Sequence, residues 1–313
     1  MISFCREKLN GKIIDIHTHS VGMDLHHLME GKYPISQNIY DLSKIVQDNG
    51  IDYAVTFPQC TTLYYDTSLI WGKNVFAPSG FCQFPYQYEN FALVSQISKL
   101  HLDNLIPFVS ISSQAKVSEQ ISYAHNLFDE FRIYGLKFHA TTERSSVLDS
   151  SFKPFVDLAI ELNIPILVHT AHDHYAHPMF VIELAKKHPE LRICLAHAAR
   201  FDMDVLRIIK KEKLKNVFID CAPLLRLCSI MQKQPDVQGV LFMKAKYNDC
   251  LAVLQSLYNL LPDNTLWGSD IPWNRYLDDD NKIVDYSDDV EILKEFEYNM
   301  ALSNNSINFL FGY

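Results

Sequence analysis

A single closed (β/α)8 barrel is the fold this 313-residue sequence predicts, and three observations carry that prediction. Eight short β-rich runs alternate with amphipathic helical stretches along the chain. Several of those runs are apolar nearly throughout, as parallel strands covered on both faces must be. The first run ends in "HTHS", where an open doubly wound sheet would need a glycine-rich phosphate turn.

Taken in order, the first run is "KIIDIHT" (12–18), followed by a helical pattern over 36–50 with Ser36 as the expected cap and Gly50 as the stop. The second run, "DYAVTF" (52–57), leads into a long aromatic-rich path over 58–90 that carries Trp71. A path of that length reads as a loop over the active-site face, before a helix near 91–101. "LIPFVSI" (105–111), "IYGLKFH" (133–139), "PILVHT" (165–170), "RICLAH" (192–197), "NVFIDC" (216–221) and "TLWGSD" (265–270) complete the strands. Helices are expected between them over 117–131, 152–163, 177–188, 202–213 and 242–260, and over 287–300 after the eighth. No internal repeat or low-complexity segment divides the chain, so residues 1–313 read as one domain.

The composition is 48% hydrophobic and 21% charged, that of an ordinary globular protein. No apolar run approaches the ~20 residues of a membrane span, and "MISFCREKLNGK" lacks the apolar core of a signal peptide, so the expected setting is cytoplasmic. Seven scattered cysteines without a C-x-x-C argue against a disulfide framework or a cysteine-built zinc site. A formal charge of −9 disfavours nonspecific nucleic-acid binding. The expected partner is a small-molecule substrate, with neither nucleic acid nor membrane, and a homodimer is left open.

Residues i and i+2 of a strand face the same way, so His17 and His19 stand side by side at the end of the first strand. Barrel enzymes build their sites at the carboxyl ends of their strands. Those ends also carry Lys137 and His139 on the fourth strand, His169 on the fifth, His197 on the sixth and Asp270 on the eighth. Each alone has a bland reading: a hydrogen-bonded structural histidine, or an aspartate in a turn. Together they do not, because structural histidines have no reason to collect at one rim. Neutral imidazole and carboxylate suit zinc and similar first-row metals.

At these residues the chain resembles the amidohydrolase superfamily of metal-dependent barrel enzymes, and most of all its amidohydrolase 2 branch. The likeness lies in "DIHTH", "VHT", "LAHAAR", "WGSDIP" and the tail "SNNSINFLFGY". It implies that His17, His19, His169 and Asp270 hold a divalent metal, zinc foremost, with manganese or iron as alternatives and one ion preferred over two. Under the same resemblance His197 is either a ligand of a second metal or a group polarising the substrate carbonyl. Lys137 occupies the place where some members carry a carboxylated lysine. An unmodified lysine there would bind substrate or the metal-bound hydroxide.

The chemistry expected is hydrolysis of an amide, lactone or ester by metal-activated water, with Asp270 as general base and His197 supporting the oxyanion. The alternative on the same site is a nonhydrolytic decarboxylase acting on an unsaturated or aromatic acid. Such a lyase needs a cation for the substrate carboxylate; Arg200 is the first candidate, with Arg144 and Arg275 behind it. A TatD-type deoxyribonuclease would carry glutamate where this chain has Lys137. A non-catalytic metal-binding protein would be expected to have lost a ligand, and none is missing. His139 and His172 are further candidates for substrate contact, while His174, His177, His26 and His27 read as loop residues. Asp15 is expected to support the site by hydrogen bonding. Trp71 and Trp273 read equally as pocket walls or packing groups.

Overall fold

The apolar runs become eight parallel strands in a computed structural model that describes residues 3–24, 35–60, 62–73, 75–233, 239–278 and 282–313. They are β1 (Ile14–His19), β2 (Tyr53–Phe57), β3 (Leu105–Ile111), β4 (Gly135–Phe138), β5 (Ile166–Val168), β6 (Ile193–Leu195), β7 (Val217–Asp220) and β8 (Thr265–Leu266). They pair in chain order. Backbone bonds from Ile16 N to Trp267 O (3.1 Å), Asp270 N to His17 O (2.7 Å) and His19 N to Ile271 O (2.8 Å) join the eighth strand's exit to the first. The result is a (β/α)8, or TIM, barrel.

Strands β5, β6 and β8 stop short of the histidines and the aspartate that the sequence places at their ends. The backbone gives the reason for two of them: His197 (φ 61°) and Asp270 (φ 61°) are in the left-handed region, where a strand cannot continue. Both side chains are therefore aimed by turns rather than by the pleat.

The outer helices are α1 (Ile39–Asp48), α2 (Gln87–Lys99), α3 (Val117–Phe131), α4 (Lys153–Glu161), α5 (Pro178–Lys187), α6 (Met203–Glu212), α7 (Leu224–Lys233), α8 (Cys250–Leu260), α9 (Tyr286–Glu295) and α10 (Asn299–Phe311). Several boundaries differ from the sequence reading. Asn38, not Ser36, caps α1, its side chain accepting from Tyr40 N (2.8 Å) and Asp41 N (3.3 Å). The helix expected over 242–260 is confined to α8, because Asp249 caps it and accepts from Ala252 N. Helix α7, absent from the sequence reading, follows Pro223 directly. The helical pattern over 287–300 stops at Glu295 as α9, opened by an Asp285/Asp288 capping box, and the tail forms the separate helix α10.

The barrel interior is filled by Ile14, Ile16, Val55, Phe57, Ile106, Phe108, Leu167, Cys194, Phe218 and Leu266, packed with Phe309 and Leu310 of α10. Phe108 needs Gly135 opposite it, since a Cβ there would fall 2.3 Å from its ring. Among its described residues the segment over 58–90 holds the short helix Thr67–Lys73 and the start of α2, and it is fastened by Tyr86, whose hydroxyl donates to Cys60 O at 2.7 Å. His26, His27 and the Trp71 side chain lie outside the described residues. Among the described residues no helix is long and apolar enough to cross a membrane.

Candidate active site

His17 and His19 are buried at the end of β1, their rings 5.5 Å apart. Asp270, delivered by the turn after β8, sets its Oδ1 3.2 Å from His17 Nε2 and 3.1 Å from His19 Nε2. The ligand atoms of these three residues all lie within 4.8 Å of one another. Atoms bound to one ion at about 2.1 Å in tetrahedral geometry lie about 3.4 Å apart, so the spacing suits a shared cation. Lys137 Nζ, from β4, approaches His17 Nε2 at 3.3 Å and lies 4.6 Å over the Phe57 ring.

Protonation favours the same use. Burial lowers the His19 pKa to about 4 against the opposing pull of Asp270, leaving a neutral imidazole with a lone pair to give. Burial and Lys137 also work against a charge on His17, yet the carboxylates of Asp220 and Asp270 hold its pKa above the usual value. Asp270 ionises well below the carboxylate range: burial opposes this, but His17 and the hydrogen bonds from both histidines outweigh it. The donor set of His17, His19 and Asp270 fits a divalent first-row metal.

His169 and His197 are brought to the same rim but pair with each other. His197 Nδ1 lies 2.6 Å from Ala222 O, so that nitrogen carries the hydrogen and donates. His197 Nε2 then accepts from His169 Nδ1 at 2.8 Å, which leaves His169 Nε2 with its lone pair. Among the described residues His169 is not part of the three-residue ligand group and reaches it through His197, whose Nδ1 is 3.9 Å from Asp270 Oδ2. His139 stacks on His169 with ring centres 3.8 Å apart, and its Nδ1 accepts from Thr142 N. Burial keeps His139 and His169 well below the usual histidine pKa and brings His197 down to about 4. Lys137 is lowered to about 8 by burial, with Asp270 and Asp220 opposing.

Asp220, the last residue of β7, does more than the sequence disclosed. Its Oδ2 lies 3.0 Å from His17 Nδ1, while Oδ1 accepts from His197 N (3.1 Å) and Ala222 N (3.0 Å). A carboxylate at Nδ1 fixes the tautomer in which His17 Nε2 faces the site. The available signal was an acid closing an otherwise apolar strand, "VFID". Asp15 plays a parallel part, accepting from His17 N and Ser269 N, each at 3.1 Å. Burial pushes its carboxyl up to about 7.

Above these groups opens a cavity of about 650 Å³ lined by His19, Lys137, His139, His169, His197 and Asp270, with Arg144, Arg200, Arg226 and Trp273 around them. His172 is placed elsewhere, its Nε2 3.6 Å from Asp202 Oδ2 and its ring beside Phe242. The neighbouring His174, read from sequence as a loop residue, lines the cavity in its stead. Arg275 is exposed and does not line it. Arg200 is carried by an unusual turn in which His197, Ala198, Ala199, Arg200 and Phe201 all have φ between 48° and 61°. Left-handed L-residues cost roughly 1–2 kcal/mol each, so the surrounding packing must hold this corner in place.

The amidohydrolase family profile matches residues 105–310, from β3 to the end of α10. The chain belongs to the amidohydrolase family. No curated protein matches it. Among solved structures, this amidohydrolase resembles a probable 2-pyrone-4,6-dicarboxylic acid hydrolase from Acinetobacter baumannii, with 15% identity over 96% of this chain and 100% of that one, TM-score 0.56. It also resembles a 5-carboxyvanillate decarboxylase from Sphingomonas paucimobilis, with 12% identity over 96% and 98% of the two chains, TM-score 0.61. A third is the 5-carboxyvanillate decarboxylase of Novosphingobium aromaticivorans, complexed with manganese, with 10% identity over 97% of each chain and TM-score 0.59. At these identities the likeness establishes the shared barrel.

Proposed function

We propose that this amidohydrolase is a metal-dependent hydrolase that cleaves an amide, lactone or ester bond in a small molecule. The observation that carries the reading is the division of labour on Asp270: Oδ1 meets both histidines of β1, while Oδ2 is turned toward His197 and the cavity. A divalent cation held by His17, His19 and Asp270 would supply Lewis acidity and water acidified toward pKa ~7. Asp270 Oδ2 is the base for the attacking water and returns that proton to the leaving group. Lys137, with three N–H donors beside His17, supports the negative charge that develops on the carbonyl oxygen. His197 has both ring nitrogens engaged, so it holds His169 in place instead of donating to the substrate. Assaying the metal-loaded protein and its Asp270→Asn variant on a panel of lactones, amides and esters tests this. Turnover by the parent that survives the substitution would refute Asp270 as the base.

Decarboxylation is favoured by a different observation. Arg200 lines the cavity and makes no hydrogen bond or ion pair among the described residues, as expected of a group awaiting a carboxylate. The names of the similar structures include both a hydrolase and decarboxylases. Carbon dioxide release from an aromatic or enoic acid, with no hydrolysis of the panel, would decide for the lyase.

A further inference from the structure

Glu143 is buried beside the cavity and takes no part in the site described above. Its chain neighbours Thr142 and Arg144 line the cavity, whereas its own carboxyl meets Ser112 and Tyr86. Three consecutive strand exits converge on it. Cys60, Tyr65 and Tyr86 follow β2, Ser112 follows β3, and Glu143 itself follows β4. Cys60 also lines the cavity. Tyr64, Tyr65 and Ile70 bury one another in a small cluster apart from the two barrel cores, so hydrogen bonds carry much of their attachment to the rim.

The hydrogens in this network can be counted. Tyr65 Oη and Ser112 Oγ are 2.7 Å apart, and Ser112 Oγ is in close contact with Glu143 Oε2. Glu143 Oε1 is 3.3 Å from Tyr86 Oη, which is 2.7 Å from Cys60 O. Four contacts need four hydrogens, and a carbonyl has none to give. The single hydrogen of Tyr86 therefore goes to Cys60 O, its nearer partner. Tyr86 Oη is left to accept, and Glu143 can donate to it only as the neutral acid. With that hydrogen on Oε1, Ser112 donates to Oε2 and Tyr65 donates to Ser112. Every contact is then satisfied in one direction, ending on the backbone of a cavity residue.

We propose that Glu143 is a positioning residue for this rim of the cavity: as an acid it completes the chain from Tyr65 to the Cys60 carbonyl, and its ionisation draws Tyr86 away from Cys60. A carboxylate has no hydrogen for Tyr86, and it takes the Tyr86 hydrogen instead, because a charge-assisted bond is the stronger one. Tyr86 can serve Glu143 or Cys60, not both. Burial pushes the Glu143 carboxyl up to about 8, against the bonds from Ser112 and Tyr86. Burial and the Glu143 charge push both tyrosines up as well, so they keep their hydrogens while Glu143 titrates. The chain is thus complete below about pH 8 and broken above it. The other titratable groups here are Glu89 of α2, which accepts from Leu63 N at 2.7 Å, Cys60, and Tyr64 beside Tyr65; Glu89 and Cys60 act on Tyr86.

The test reads Cys60 in the full chain by iodoacetamide alkylation, followed peptide by peptide in a mass spectrometer at about pH 6.5 and about pH 9.5. Glu143→Gln keeps an oxygen for Ser112 and an N–H for Tyr86 at both pH values. The parent should therefore react at Cys60 at the same rate as Glu143→Gln at the lower pH, and about five-fold or more faster at the higher one. The comparison at one pH cancels the ordinary gain in thiolate. Tyr86→Phe, which leaves Cys60 O without its donor throughout, should react faster than the parent at the lower pH and match it at the higher. Circular dichroism and melting confirm the fold of each variant. Equal rates for parent and Glu143→Gln at both pH values overturn the proposal; an alkaline rise that belonged to Glu89 would give that result. So does a Tyr86→Phe protein that matches the parent at the lower pH, which decides the matter alone if Glu143→Gln does not fold. The readout is modification, not turnover, so the result is independent of which reaction the cavity performs.

Discussion

Asp220→Asn isolates the control of one tautomer. The two backbone N–H groups of His197 and Ala222 both donate to Asp220 Oδ1, so an asparagine keeps its oxygen there. Its amide nitrogen is then forced toward His17 Nδ1, which the native Oδ2 meets at 3.0 Å. A donor in that place requires Nδ1 to accept, so the ring hydrogen moves to Nε2. That nitrogen faces Asp270 Oδ1 at 3.2 Å and, once protonated, cannot ligate a metal. Loss of such a supporting carboxylate typically weakens metal affinity about 10–100-fold, equivalent to about 1.4–2.8 kcal/mol. Competition between the protein and a chromophoric chelator for Mn²⁺ or Zn²⁺ measures this directly, with a melting curve to confirm the fold. An affinity within two-fold of the parent would show that Asp220 does not govern His17.

Asp270→Asn should lower turnover by about 10²–10⁴-fold, as loss of a general base does, while retaining part of the metal measured by elemental analysis. Chelation of the metal should abolish turnover and lower the melting temperature, with both restored on adding Mn²⁺ or Zn²⁺; activity that persists in chelator would exclude metal dependence. Gly268→Ala would put a Cβ 2.8 Å from His17 Cβ and 3.2 Å from His17 N, so denaturant unfolding should report a loss of about 1–3 kcal/mol together with weaker metal binding. Glu143 is buried between Ser112 and Tyr86, and burial raises its carboxyl from 4.5 to about 8. The unfolded chain ionises above about pH 4.5 while the folded chain keeps the proton to about 8, so this group subtracts stability progressively across that window and fully above it. Glu143→Gln should flatten that slope and be the more stable protein at pH 9, the native penalty at pH 7 being at most about 3 kcal/mol. Parallel stability–pH curves for the two proteins would refute the assignment.

The barrel was legible because its signal is repeated eight times: a buried parallel strand must be apolar, and each of the eight runs contains one. Placing His17 and His19 side by side needed only the two-residue period of a strand. What sequence could not supply was the geometry beyond the strand ends. His172 and His174 differ by two positions in one loop, and only the path of that loop decides that His174 reaches the cavity while His172 settles beside Asp202. The pairing of His169 with His197 depends on a left-handed turn built from alanines and an arginine, a conformation no propensity rule assigns to them. Asp220 and Arg226 escaped notice for a simpler reason. Each acts through a partner distant in the chain, His17 or Trp273, and neither belongs to a short motif.

The junction between β8 and β1 has a consequence for how the protein comes into being. Strand β8 gives only Thr265 and Leu266 to the ladder, and beyond them the join rests on a few main-chain bonds and on Asp15, which bridges to Ser269 across 254 positions of sequence. A cation gripped by His17 and His19 from one margin and Asp270 from the other would act as a clasp on that join. Such a clasp cannot fasten on a partly synthesised chain. Metal capture would then report that the barrel has closed, and a truncated or misregistered product would announce itself by failing to hold the ion.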